Sequence, residues 1–241
     1  MEAYLGISTD KLLTAGAETI YMVCISLFIG AIIAFPLAIL LYLTRKNGMY
    51  QNRFVNGLLN IIINVIRSTP FIIMLVCVMP LTKVLVGTRI GTKAALVPLT
   101  IYIAPYLARL MEGALLETKA GIIEAAEAMG ATPLQIVWHF ILPESLGSLI
   151  LTITTGTIGL IGATAMAGYI GGGGIGNIAL TYGYQQFNNR LMFFTVLILI
   201  IVVQLIQNLG TWASAKIRDP VREPSPPIII NALMFSFCMI S

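Results

Sequence analysis

Five runs of this chain are too long and too apolar for the helices of a water-soluble fold. Residues 19–43, 58–81, 94–116, 146–168 and 191–212 each exceed the roughly 20 mostly apolar residues that cross a bilayer core. Composition agrees. Of the 241 residues, 58% are hydrophobic and 10% are charged, where a soluble domain carries roughly 25% charged residues. The expected fold class is therefore all-α integral membrane, with five transmembrane helices. Lys and Arg set the expected orientation. Arg45, Lys46, Arg53, Arg67, Arg109, Lys119, Lys216, Arg218 and Arg222 gather on one side, against Lys11, Lys83, Arg89, Lys93 and Arg190 on the other. The richer side is assigned to the cytoplasm. Residues 1–18 are then expected outside and 19–216 form the membrane domain, with a cytoplasmic loop over 117–145. Residues 217–241 form a cytoplasmic tail, too short in its apolar part to span.

That loop holds the stretch of the chain's middle that a bilayer would reject, Glu124 to Pro143, which carries Glu124, Glu127 and His139. Its grammar predicts two short helices. Ile122–Met129 favours helix, and Gly130 stands where a C′ glycine closes one. Thr132 is placed as an N-cap, Pro133 fits the first helical position and Gln135 completes a capping box. Pro143 is expected to stop the second helix, whose apolar face is read as Leu134, Val137 and Ile141. Taken by itself this is a structured loop with a solvated face.

Other features narrow the chemistry. Arg67 stands inside or at the edge of the second run, where an arginine faces protein or water or snorkels to the interface. Pro70 is expected to bend that helix. Arg109 and Glu112, three apart, are expected to pair on one helix face. Gly159, Ala163 and Ala167 recur at four-residue spacing, as do Gly168, Gly172 and Gly176, which suits close helix packing in lipid. Met166 is the bulky side chain within a run of small ones. It either plugs an axis shared by two copies or fills a gap. Gly171–Gly176 fits G-x-G-x-x-G, but no strand precedes it and no acidic residue follows at the right distance, so a dinucleotide site is rejected. A flexible outer turn is expected instead. Cys24, Cys77 and Cys238 are isolated and read as buried free thiols, with no metal site or disulfide framework. The net charge of +4 does not point to nucleic acid. Residues 1–16 lack a basic n-region, so no cleavable leader is expected. No phosphate loop ending Gly-Lys-Ser/Thr occurs and no catalytic pair is available, so the chain is not expected to be an enzyme.

Glu124-Ala125-Ala126, Gly130 and Leu142-Pro143 resemble the EAA loop of ABC importer permeases, with Phe140 where that family usually has isoleucine. Arg67-Ser68-Thr69-Pro70 resembles the Arg-small-Thr-Pro signature of amino-acid permeases. Val65–Ile73, Val86-Gly87-Thr88, Val97–Thr100 and Ala128–Pro133 are similar to the methionine-import permeases, a likeness covering roughly residues 17–188. The resemblance implies a type I ABC importer permease fold working as a homodimer in the bacterial inner membrane. It implies as partners two ATP-binding subunits, an extracytoplasmic substrate-binding lipoprotein, methionine and the lipid bilayer. ATP and Mg would sit on the partner ATPase, with no cofactor on this chain. Glu124, Ala125, Ala126, Gly130, Ala131, Thr132, Pro133 and Leu134 would couple to the ATPase, and Met166, Arg67 and Pro70 would line or gate the pathway. A permease for cystine or a polar amino acid, or a secondary carrier or channel, remains the alternative.

Overall fold

The computed structural model describes residues 7–46 and 48–218. Those residues are helical with short connections, and no strand occurs among them. In chain order the helices are α1 (Thr9–Thr44), α2 (Arg53–Ser68), α3 (Phe71–Val86), α4 (Thr92–Leu116), α5 (Ala120–Ala128), α6 (Pro133–Ile136), α7 (Leu142–Ala167), α8 (Gly174–Ile178) and α9 (Asn189–Ile217). Four helical runs are long and apolar enough to cross a membrane, and the pair α2–α3 makes a fifth if taken as one broken span. From residue 219 onward the tail, with Cys238 and Arg222, lies outside the described residues.

Three differences from the sequence reading have local causes. First, α1 begins before its apolar run, because Ser8 caps it by accepting from the Asp10 N–H at 3.3 Å. Residues 9–18, expected to precede the membrane domain, are its first turns. Second, the run 58–81 is two helices bent by 109°. Pro70 has no N–H to give and forces the preceding residue out of the α region, so Thr69 is extended at φ −80°, ψ 123°. The Thr69 hydroxyl donates to the Val65 carbonyl at 2.9 Å and closes α2. Third, Pro143 does not stop a helix. A π turn over Val137–Ile141 joins α6 to α7, with the Leu142 N–H reaching back to the Val137 carbonyl. The wider turn re-registers the backbone just before the proline, which then sits in the first turn of α7, so the local π adjustment accommodates a residue with no N–H to give.

Helix α4 is the centre of the core and packs on α1, α7, α3 and α2. Its Leu99, Ile103 and Leu107 are wholly buried. The crossings depend on small residues: a Cβ on Gly30 of α1 would overlap the Ile103 side chain, and one on Gly156 of α7 would overlap Leu107. Close backbone approach of this kind is how helices gain packing energy in lipid. Large apolar side chains such as Phe28 and Ile32 on α1, and Ile201, Leu205 and Leu209 on α9, point outward as a lipid-facing surface requires. Cys24 and Cys77 are exposed on that surface rather than buried, since a bilayer accepts thiols that water would drive inward.

Candidate functional site

Segment 117–145 hangs from one end of the bundle. Its first helix ends as the glycine predicted. Gly130 takes φ +79°, its N–H bonds the Glu127 carbonyl at 2.9 Å, and the Ala131 N–H bonds the Ala126 carbonyl at 3.1 Å. That pair of bonds is a Schellman closure. The capping box also forms, with the Thr132 N–H donating to Gln135 Oε1 at 2.9 Å and Pro133 at the first helical position. The two turns fold against each other through Ala126, Ile136, Val137 and Ile141, all buried in the main core. Glu124, Ala125, Gly130 and Thr132 face outward, and Ala131 and Pro133 are half-buried. Leu134 does not join Val137 and Ile141 inside: it is 54% exposed. The buried face is centred near Pro133, Ile136, Val137 and Ile141, about a quarter-turn from Leu134 at about 100° per residue. Met129 and Leu134 therefore stand exposed on the segment that carries Glu124 and Glu127, while the Trp138 ring, partly open, lies 6.0 Å from that of Phe35 on α1. His139 is exposed, its Nδ1 3.2 Å from the Gln135 carbonyl.

This knob is tied to the bundle by contacts that sequence reasoning missed. Glu117, at the end of α4, accepts from the Ser148 hydroxyl. Arg218, just past α9, donates to Ser148 Oγ at 2.9 Å and lies 3.6 Å from the Glu117 carboxylate. A polar ladder on α2 is the second surprise. Asn56 donates to the Leu41 carbonyl and to Thr44 Oγ1, both at 3.2 Å. Asn60 donates to Asn56, and Arg109 reaches Asn60 Oδ1 at 3.0 Å and Glu112 Oε2 at 2.7 Å. The expected Arg109–Glu112 pair is thus the end of a chain linking α1, α2 and α4. The signal was visible: Asn52, Asn56, Asn60 and Asn64 recur every fourth residue.

Arg67 lies in the last turn of α2, at the end remote from Arg53. Its guanidinium stands 6.0 Å from the centre of the Tyr106 ring. Pro70 supplies the break beside it. Met166, on α7, is 48% exposed, and nothing lies within 4 Å of where a Cβ on Gly162 would be. Together they leave an open strip along α7 on the surface of the single chain. The fold does not bring Met166, Arg67 and Pro70 into mutual contact, but Gly159 of the same helix lies under Tyr102 and Tyr106. A cleft of about 350 Å³ lies between α4 and α7 from Glu117, Ser148 and Arg218 as far as Thr155.

The glycine run at the other end of α7 is packed, not loose. The Gly174 N–H donates to Glu18 Oε2 at 2.8 Å and the Ile175 N–H to Thr19 Oγ1 at 2.9 Å. A Cβ on Gly176 would overlap Ala165, so the chain folds back onto α7 and α1. No cluster of His, Cys, Asp or Glu suited to a metal occurs among the described residues.

Known proteins resemble this chain in sequence and fold. The family described as the inner membrane component of binding-protein-dependent transport systems matches residues 26–219. The probable D-methionine transport system permease protein of Vibrio cholerae is 44% identical over 207 residues, covering 86% of this chain and 92% of that one. The methionine import system permease protein of Bacillus subtilis is 43% identical over 204 residues, covering 85% and 92%. A chain from the MetNI methionine ABC transporter, solved in inward-facing conformations, superposes with a TM-score of 0.85 at 42% identity, covering 88% of this chain and all of that one.

Proposed function

The chain belongs to the family of inner membrane components of binding-protein-dependent transport systems, and from that premise we propose that it is the permease subunit of an ATP-driven methionine importer. Two copies form the translocation pathway. Each presents its 117–145 knob to a separate ATP-binding subunit, and a substrate-binding protein delivers methionine from outside. The N-terminus lies outside, and the knob and the C-terminus lie in the cytoplasm. Setting Arg67 aside as mid-span, the Lys and Arg bias still favours that orientation.

The observation that carries the reading is the build of the knob. Its inner face is anchored in the main core, and Trp138 rests against Phe35 of α1, while Met129 and Leu134 are left exposed on the segment that carries two glutamates. An apolar anchor group rimmed by charge is what a protein partner buries. Because the π turn makes the knob continuous with α7, a push on α6 moves the helix that bears Met166. ATP binding would draw the two ATPases together, rotate the paired α7 helices and open the pathway outward. Hydrolysis would reset it. Met166 from each copy closes the axis, Gly159 and Gly162 give it room to move, and Arg67 and the break at Pro70 line the way. ATP and Mg belong to the partner, and the permease works by conformation alone.

The test is uptake of labelled methionine, cystine and a polar amino acid into proteoliposomes holding the permease, its ATPase and binding protein. ATP-dependent uptake selective for methionine is expected. ATP-dependent uptake of another amino acid would discard the substrate alone, and uptake indifferent to ATP would discard the importer.

A further inference from the structure

Arg67 stands beside the middle of α4 and not beside either of its ends. It sits at the end of α2 remote from Arg53 and faces Tyr106, well inside α4, which runs from Thr92 to Leu116. At about 1.5 Å per residue, Tyr106 is ~15 Å from the loop-side end of α4 and ~20 Å from the other. With α4 as a membrane span, a side chain there lies nearer mid-depth than either surface. Facing lipid, the charge would cost about 3 kcal/mol or more. Yet Arg67 is exposed on the single chain, and no carboxylate among the described residues pairs with it. It must face a wet pathway or an anionic partner within it.

The surroundings hold the guanidinium ready. Tyr102 and Tyr106 stack one turn apart, with centroids 6.0 Å apart and planes 13° apart. Phe71, the first residue beyond the break, meets Tyr102 edge-on at 5.3 Å. The stack thus runs from α3 through α4 to the end of α2 and bridges the sharp bend between α2 and α3. At 6.0 Å the guanidinium is at the outer reach of a cation–π contact with Tyr106, which leaves its fork of N–H donors open to a carboxylate. Gly159 lies close against the rings, a Cβ there standing in ordinary contact at 3.8 Å from Tyr106, and Gly159, Tyr102 and Tyr106 are each partly exposed. The glycine lies on α7, ~10 Å along the helix from Met166 on the loop side. The cleft from the loop end reaches Thr155, one turn short of it.

We propose that Arg67, backed by Tyr106 and Tyr102, is a substrate-carboxylate subsite inside the permease, on the cytoplasmic side of Met166. It takes amino acids by the α-carboxylate and lays the apolar side chain over the tyrosines and Gly159. This deepens the importer reading and rests on it. The rival is a purely structural brace that holds the bend. A brace would make no distinction between an acid and its amide.

The experiment uses the complete permease–ATPase complex in nanodiscs, with Cys24, Cys77 and Cys238 replaced and Ser68→Cys introduced beside Arg67. A thiol reagent reports how fast that site is modified. Methionine should slow modification, and methioninamide at the same concentration should not. Arg67→Gln should raise the half-protecting methionine concentration about tenfold or more, the loss of a charge-assisted bond, with Arg67→Lys in between. The comparison of acid with amide needs no change at Arg67, so it survives if Arg67→Gln fails to fold. Equal protection by both compounds, protection unchanged in Arg67→Gln, or none from methionine would each overturn the subsite. ATP-dependent uptake by the same complex is measured alongside. Its absence counts against the importer, and its presence without acid-selective protection counts against the subsite alone.

Discussion

Ala126 has no exposed surface in a segment whose neighbours face outward, so its size is set by the partner turn. Ala126→Leu forces extra carbons into a closed contact and should cost about 1–3 kcal/mol, read as a lower melting temperature of the complex in detergent. The Arg109–Glu112 pair makes a second prediction. Glu112 is buried while Arg109 is partly open, so Arg109→Ala leaves a buried carboxylate without its partner and should cost about 1–3 kcal/mol. Glu112→Gln added to Arg109→Ala should recover part of that loss, and a double-mutant cycle by thermal unfolding checks it. The cap residues Gly130, Thr132, Pro133 and Gln135 were legible in the sequence because caps depend on neighbours within one turn. Leu134 was misplaced because spacing gives a period and not its phase. Which side of α6 faces inward is decided by Ala126 across the turn.

Elements depend on longer-range balance. Pro70 announced a bend, but both halves of the broken span are apolar, so hydropathy could not distinguish a mild kink from the 109° turn that forms. Pro70→Ala restores a backbone donor and removes the constraint on Thr69. Spin labels at Leu58 and Leu81 should then move apart, as the two helices straighten toward one. Pro143 misled in the opposite direction: the π turn over Val137–Ile141 is a backbone adjustment with no residue signature of its own. At the crossing of α1 and α4, Gly30→Val should destabilise the bundle by about 1–3 kcal/mol, because its Cβ has no space beside Ile103. A lower yield of folded protein by size-exclusion chromatography checks that.

The whole molecule is organised as a lever. A core built around α4 holds α1 and α7 in place, and α7 continues through a π turn into a knob on which Met129 and Leu134 stand exposed. Gly162 and Met166 are exposed too, and the proposed function assigns a partner to each surface: an ATPase at the knob, a second copy at the strip. The five-run membrane character and the loop grammar were legible from sequence. The aromatic stack over Arg67 was not, since Phe71, Tyr102 and Tyr106 meet only once the break has folded α3 back onto α4. Central to this account is that ATP-driven movement enters through the knob, and the most direct measurement is ATP-dependent methionine uptake by wild type and by Gly130→Asp. Gly130 takes φ +79° with open space around it, so the added side chain alters the knob's surface and turn without touching the core. Loss of ATP-dependent uptake, with membrane insertion intact, is predicted. Uptake that proceeds unchanged in Gly130→Asp, or without ATP in wild type, would contradict it.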